Sequence, residues 1–211
     1  QMYGGPRAML SPQYADWPLG ERGRADLLKL IRQPALGVQA MAVHAVAGRT
    51  DLDEPFFAGL RAVATDPLGS REAALEALGT LVPQHAWARE TLAGVLREET
   101  GPVELYAAAR SLLVDGRGHG ELLVETFAAA GPEGRQALMT AAAELSWSAE
   151  RALEGAALHP QILDEAMNGD ARASKTAFGV LAQTAVGGKV DLMIARELAT
   201  AQGEGFTRLL E

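Results

Sequence analysis

Apolar and small residues recur along this chain at intervals of three and four, which is the spacing of one face of an α-helix. The clearest stretch ends at Leu81, and within it Ala74, Ala77, Leu78 and Leu81 follow this spacing. The residues between them are mostly charged or small, so one face is apolar and the other is not. The pattern predicts a helix here and an all-α fold for the chain.

This helix is part of a unit that recurs along the chain. Pro67 and Gly69 predict a turn before it, and Ser70 is placed to cap its first N–H groups. Comparable helices follow turns that contain Pro or Gly, at intervals of about 30 to 40 residues. These helices are predicted at Val38–Ala47, Leu105–Leu113, Arg135–Leu145 and Lys175–Thr184.

Further helical stretches lie between these and supply a partner for each. They are predicted at Glu21–Arg32, Asp53–Thr65, Gln84–Glu98, Gly118–Ala130, Ser148–Met167 and Lys189–Gln202. Pro160 disfavours helix at the residue before it, so the fifth stretch is expected to be bent or broken at His159-Pro160. A pair of short helices cannot bury its own apolar faces, so consecutive pairs are expected to stack.

One repeat carries an Asp–Pro turn, a basic residue, alanines and an Ala-Leu-Gly triplet, at Asp66, Pro67, Arg71, Ala74, Ala77, Leu78, Gly79 and Leu81. This pattern resembles the second helix of HEAT repeats. The other repeats keep the small apolar spacing, but Val38 or Gln39, and then Leu105, stand where Arg71 does. The resemblance implies an α-solenoid of about five to six antiparallel helix pairs. A closed helical bundle, with fewer and longer helices, is the alternative.

The resemblance also implies a binding surface, because the second helices of HEAT repeats line the concave side. The positions that align on these helices are Glu72, Glu76, Tyr106, Arg110, Gln136 and Thr140, with Thr176 and Val180 aligned in the last repeat. Tyr and Arg are over-represented at binding hot spots. These residues are the predicted partner-binding set, and the alternative is that they are solvated helix faces with no function.

Composition and charge narrow the classes of function. The chain has 211 residues, among them 40 alanines and 29 leucines, which favours helices. Its formal charge of −8 and the lack of a basic run argue against nucleic acid as the partner. No apolar stretch is long enough to predict a membrane span, and the cytoplasm is the default compartment. Residues 1–20 are expected to be an extended lead-in, and 21–211 a single repeat domain.

Candidate chemistry is sparse. The chain has no cysteine, so it has no thiolate site. Its histidines never stand three or four residues apart, which is the usual spacing of metal ligands on a helix; they are His44, His85, His119 and His159. Neither a metal nor a cofactor is therefore predicted. No catalytic motif was found, which favours a non-enzymatic protein, with no prediction of oligomeric state.

We therefore expect a helical-repeat scaffold that binds a protein or peptide on its concave face. One alternative is an enzyme on the same scaffold, either lyase-like or resembling the alkylpurine DNA glycosylases, with roles for Arg110, Asp115 and Trp147. The other is a structural spacer within a larger polypeptide.

Overall fold

A computed structural model describes residues 19–98, 101–115, 119–144 and 156–184. All regular secondary structure within these ranges is helical, and it comprises ten α-helices and one 3-10 helix at Ala156–Leu158. The α-helices are α1 Glu21–Ile31, α2 Leu36–Val46, α3 Glu54–Thr65, α4 Arg71–Leu81, α5 Ala86–Glu98, α6 Pro102–Asp115, α7 Gly120–Ala129, α8 Pro132–Glu144, α9 His159–Asn168 and α10 Ala171–Thr184. The all-α prediction is confirmed for these residues.

Within the described residues the predicted helices are present, with ends that shift by at most four residues, while residues 148–155 of the fifth partner stretch lie outside the described residues. Pro102 and Pro132 are the first residues of α6 and α8, because proline is tolerated where a helical N–H has no partner. Near the predicted break, α9 begins at His159 with Pro160 in its first turn, directly after the 3-10 helix. The predicted helix Lys189–Gln202, and most of the lead-in over residues 1–20, lie outside the described residues.

The chain divides into two compact units, Gln1–Thr91 and Leu92–Glu211, with the boundary inside α5. In the first unit α1 packs on α2 and α3 on α4, and the two pairs contact each other through α1 with α3 and α2 with α4. Hydrogen bonds join the pairs at both ends of α4: Ser70 N donates to Gln39 Oε1 at 2.7 Å, and Gly48 N donates to Thr80 Oγ1 at 3.0 Å.

The second unit repeats this pairwise packing. Helix α8 contacts α6, α7 and α10, and α9 packs on α10. Gly134 allows close approach of α6 and α8, because a Cβ there would lie 2.9 Å from Leu105 Cδ1, which would have to move. Alanines hold the same close contacts elsewhere, and Ala107, Ala108 and Ala141 are fully buried. The small residues of the second helices are therefore packing positions.

A polar side chain near the start of three second helices binds the C-terminal end of the helix before it. The bonds run from Gln39 Nε2 to Ile31 O at 3.0 Å, from Arg71 Nε to Ala64 O at 3.1 Å, and from Arg135 Nε to Ala130 O at 3.1 Å. These carbonyls lie at helix ends, where intrahelical donors are missing. Gln39 thus occupies the position of Arg71 and serves the same purpose.

Ser70 does not cap α4 as predicted. Its hydroxyl donates instead to Leu36 O, at 2.7 Å, and no side-chain capping bond is present at the start of α4. The reason is the neighbouring helix pair, which offers an exposed carbonyl within reach of Ser70 Oγ. The hydroxyl therefore joins two repeats rather than closing one helix.

Candidate functional site

Helix α8 of the second unit contacts both α6 and α10, and the three helices carry half-buried or exposed residues at the aligned positions. We call these positions the α6–α8–α10 surface. Its residues are Tyr106, Arg110, Gln136, Thr140, Glu144, Lys175 and Gly179. It contains four of the six residues predicted from the sequence.

Tyr106 and Arg110 both contact one carboxylate, that of Glu144 at the end of α8. The Tyr106 hydroxyl donates to Glu144 Oε2 at 2.5 Å, and Arg110 Nε lies 3.3 Å from the same oxygen. The Arg110 side chain keeps 30% of its surface exposed and that of Glu144 keeps 46%. Because the group is accessible and its charges nearly cancel, it offers a partner both donors and acceptors at little desolvation cost.

Glu144 was not among the predicted residues. It follows Gln136 and Thr140 at intervals of four, so the three lie on one stripe of α8. Gln136 and Thr140 are half-buried, and Thr140 Oγ1 donates to Gln136 O at 2.8 Å. The four-residue spacing of polar positions along α8 was the signal that would have identified Glu144.

An open cavity of about 340 Å³ lies beside this stripe, between α8 and α10. Its lining residues are Thr140, Ala143, Lys175, Thr176, Gly179 and Val180. Small side chains form most of the lining, and Lys175 is the charged residue among them. The cavity is a shallow depression that is open to solvent, so a ligand there would be covered on one side only.

The alignment of the last repeat shifts by one residue in the structure. Thr176 and Val180 were expected on the surface, but Val180 is buried, whereas Lys175 and Gly179 are exposed. The hydroxyl of Ser174 donates to Ala166 O of α9 at 2.6 Å, which is the bond that Arg71 makes in its own repeat. Ser174 therefore stands at the position of Arg71, and Lys175 and Gly179 correspond to Glu72 and Glu76.

The remaining predicted residues, Glu72 and Glu76, lie on α4 in the first unit. Glu72 is exposed and Glu76 is half-buried. Arg71, next to them, is held by its bond to Ala64 O, so the basic residue of the HEAT-like pattern serves packing here.

Of the residues considered for enzymatic chemistry, Arg110 lies on the α6–α8–α10 surface, paired with Glu144, and Asp115 is the last residue of α6. Among the described residues, no three His, Asp or Glu side chains form a group that could hold a metal ion. His85 contacts Phe57 and Trp87, with ring centroids 4.8 and 5.8 Å away, and the Arg61 guanidinium lies 4.7 Å from the Trp87 ring centroid. This is an aromatic packing cluster. Trp147 lies outside the described residues.

One carboxyl of the first unit has a perturbed pKa. Hydrogen bonds from Arg49 Nε and Nη2, at 2.8 and 2.7 Å, lower the pKa of Asp51 below its usual value, and partial burial opposes them. The pair follows the end of α2 and is distant in sequence from the α6–α8–α10 surface. It is a structural ion pair.

Comparison of the chain with models of protein families, with curated proteins and with solved structures found no match in any of the three. Among the described helices, none is both long and apolar enough to cross a membrane.

Proposed function

We propose that this protein is a HEAT-like α-solenoid scaffold that binds a protein or peptide on a concave face containing the α6–α8–α10 surface. The observation that carries the proposal is the contiguity of Tyr106, Arg110, Gln136 and Thr140 with an open cavity on neighbouring helices. Extended surfaces of stacked helix pairs are suited to elongated partners. Pairwise contacts between successive second helices support the solenoid.

The local electrostatics favour this function over the glycosylase-like alternative. Glu144 lies against Arg110 and neutralises the cation that a DNA phosphate would need. A groove for the DNA backbone carries an excess of positive charge. The α6–α8–α10 surface has both signs in contact, which is typical of a protein interface.

Selection from a random peptide library tests the proposal. Random dodecapeptides displayed on phage would be selected on the purified protein, and the enriched sequences resynthesised with a fluorescein label. We expect these peptides to bind at least about tenfold more weakly to the double variant Tyr106→Ala, Arg110→Ala, because central aromatic and Arg residues dominate binding energy. Fluorescence anisotropy measures the affinities.

Two further variants test whether a loss of peptide binding is specific to the α6–α8–α10 surface. Arg97→Ala with Glu98→Ala changes an exposed pair on α5 and should leave binding unchanged. Gln136→Ala with Thr140→Ala samples the same surface without Tyr106, in case the first variant loses helicity by circular dichroism. If no peptide is enriched, or if both surface variants bind as the wild type does, the chain is a spacer and the proposal is wrong.

A further inference from the structure

Lys175 is the residue of the α6–α8–α10 surface whose charge is available to a ligand. In three other repeats the polar residue at the start of the second helix is used to hold the preceding helix, as in Gln39, Arg71 and Arg135. In the last repeat Ser174 makes that bond, one position earlier. Lys175 is exposed and forms no hydrogen bond or ion pair with the residues that the structure describes.

Helix α10 itself is basic in a chain that is acidic overall, and Asp170, directly before it, accepts from Arg172 N and Ala173 N at 2.9 and 2.8 Å. Helix α10 contains Arg172 and Lys175 and no Asp or Glu, whereas the whole chain has a formal charge of −8. The two cations are three residues apart, so they are neighbours on the helix surface. The nearby carboxylate of Glu144 is held by Tyr106 and Arg110. This end of the surface therefore attracts negative charge.

The cavity beside Lys175 supplies apolar contact and hydrogen-bond acceptors. Ala143 and Val180 contribute apolar atoms, and a Cβ on Gly179 would meet no other atom within 4 Å. The hydroxyls of Thr140 and Thr176 donate to Gln136 O and Arg172 O of their own helices, at 2.8 and 3.0 Å. Their oxygen lone pairs are thus left to accept from a ligand N–H group.

These features match one ligand chemistry: a carboxylate on a short aliphatic stem, next to a peptide N–H. We propose that the cavity between α8 and α10 binds a Glu side chain of a linear peptide partner. Its carboxylate contacts Lys175, its methylene groups lie over Ala143 and Val180, and its backbone N–H donates to a threonine hydroxyl. The proposal rests on the peptide-binding function above and defines the partner as acidic at this point.

Two peptide pools test the inference. Both consist of fluorescein-labelled decapeptides, acetylated and amidated at their ends and randomised except at one central position, which is Glu in one pool and Gln in the other. We expect the wild-type protein to bind the Glu pool about three to five times more tightly at low salt, as for an exposed ion pair. The preference should shrink at 0.5 M NaCl, where the Debye length is about 4 Å.

Two variants localise the effect. Lys175→Met keeps an unbranched side chain, removes its charge and should abolish the preference for Glu. Gly179→Leu should occupy part of the cavity and weaken binding of both pools, while helicity by circular dichroism is retained because leucine favours helix over glycine. The matched control is Gly94→Leu on α5, where a Cβ also meets no atom within 4 Å and the cavity is untouched.

The outcomes separate this inference from the function on which it rests. Equal affinity for the two pools, or a preference that survives Lys175→Met, overturns the Glu site. If in that case binding still falls in the Tyr106→Ala, Arg110→Ala variant, the peptide-binding function stands. If neither pool binds the wild type at all, both proposals are wrong.

Discussion

Helices α2 and α4 of the first unit have the same repeat register but different surroundings. On α4 the row Ser70, Ala73, Ala77 and Thr80 faces α2, as the hydrogen bonds at both ends of α4 show. The corresponding row on α2 is Val38, Met41, Ala45 and Gly48. Ala73 is 6% exposed and Met41 is 67% exposed.

The comparison shows that a row of small or apolar residues is buried only where another helix covers it. No described helix lies on the Met41 side of α2, whereas α2 itself covers the Ala73 side of α4. Helix α2 is apolar on nearly all sides, so its sequence pattern does not indicate which face is covered. Packing against the next repeat selects the face.

The largest loss of stability is expected at an aligned position that is buried in both α2 and α4. Leu75 of α4 and Val43 of α2 correspond in the repeat, and both are fully buried. Leu75→Ala should lower the free energy of unfolding by about 2–5 kcal/mol because it leaves a cavity. Val43→Ala should have a smaller effect of the same sign, since it removes fewer atoms. Urea unfolding measures both, and a silent Val43→Ala would show that α2 is not packed as α4 is.

Exchanging Ala73 and Met41 tests whether the two aligned positions differ in burial. Ala73→Met places the α2 residue between α4 and α2 and should destabilise by about 1–3 kcal/mol through overpacking. The reciprocal change Met41→Ala should stay within about 0.5 kcal/mol, because Met41 is exposed. Thermal and urea unfolding of the two variants provide the measurement. Equal losses would contradict the assignment of an exposed face to α2.

A change at Gln39 removes two of the hydrogen bonds that connect α2 to its neighbours. Its side chain donates to Ile31 O and accepts from Ser70 N, so Gln39→Leu loses two hydrogen bonds and should cost about 1–3 kcal/mol. Gln33→Leu is the control, at a half-buried residue just after α1. Equal stability of the two variants in urea would mean that these bonds contribute nothing.

The smallest loss of stability is expected just after the end of α2. There Gly48 adopts a φ of 78°, and Arg49 forms an ion pair with Asp51. The pKa of Asp51 is lowered in the folded protein, so the pair stabilises above the usual carboxyl pKa of 3.8 and this contribution is lost as the pH falls below it. Asp51→Asn should cost under about 1 kcal/mol at pH 7, because the carboxylate is partly exposed.

Comparing urea unfolding at pH 7 and pH 3 checks this assignment. The difference in stability between wild type and Asp51→Asn should be smaller at pH 3, because the carboxyl group binds a proton more readily in the unfolded chain than in the folded protein. A difference that is unchanged or larger at pH 3 would contradict the role given to Arg49.

Much of the local structure was predictable from residue spacing. The three- and four-residue recurrence of apolar positions located the described helices, and Pro160 located the start of α9. The pattern around Arg71 identified the second helix of a pair, and Gln39 proved to be its counterpart in the first repeat. These features depend on local propensity and helix ends, which neighbouring residues determine.

The candidate surface was predictable in part. Tyr106, Arg110, Gln136 and Thr140 were selected by alignment of the repeats, and they lie on adjoining helices. Lys175 was missed because the alignment of the last repeat was off by one residue, which moves a side chain by about 100° around the helix axis. The register became clear only from the bond of Ser174 to α9.

The short paired helices of this protein could be predicted from its residues alone, because helical periodicity, prolines and glycines act over a few residues. The three-dimensional packing was needed to show which of several apolar faces is covered, which polar residues hold helices together, and that Lys175 lies exposed beside a cavity. Those outcomes depend on contacts between residues about 30 positions apart, whose partners a local pattern does not specify.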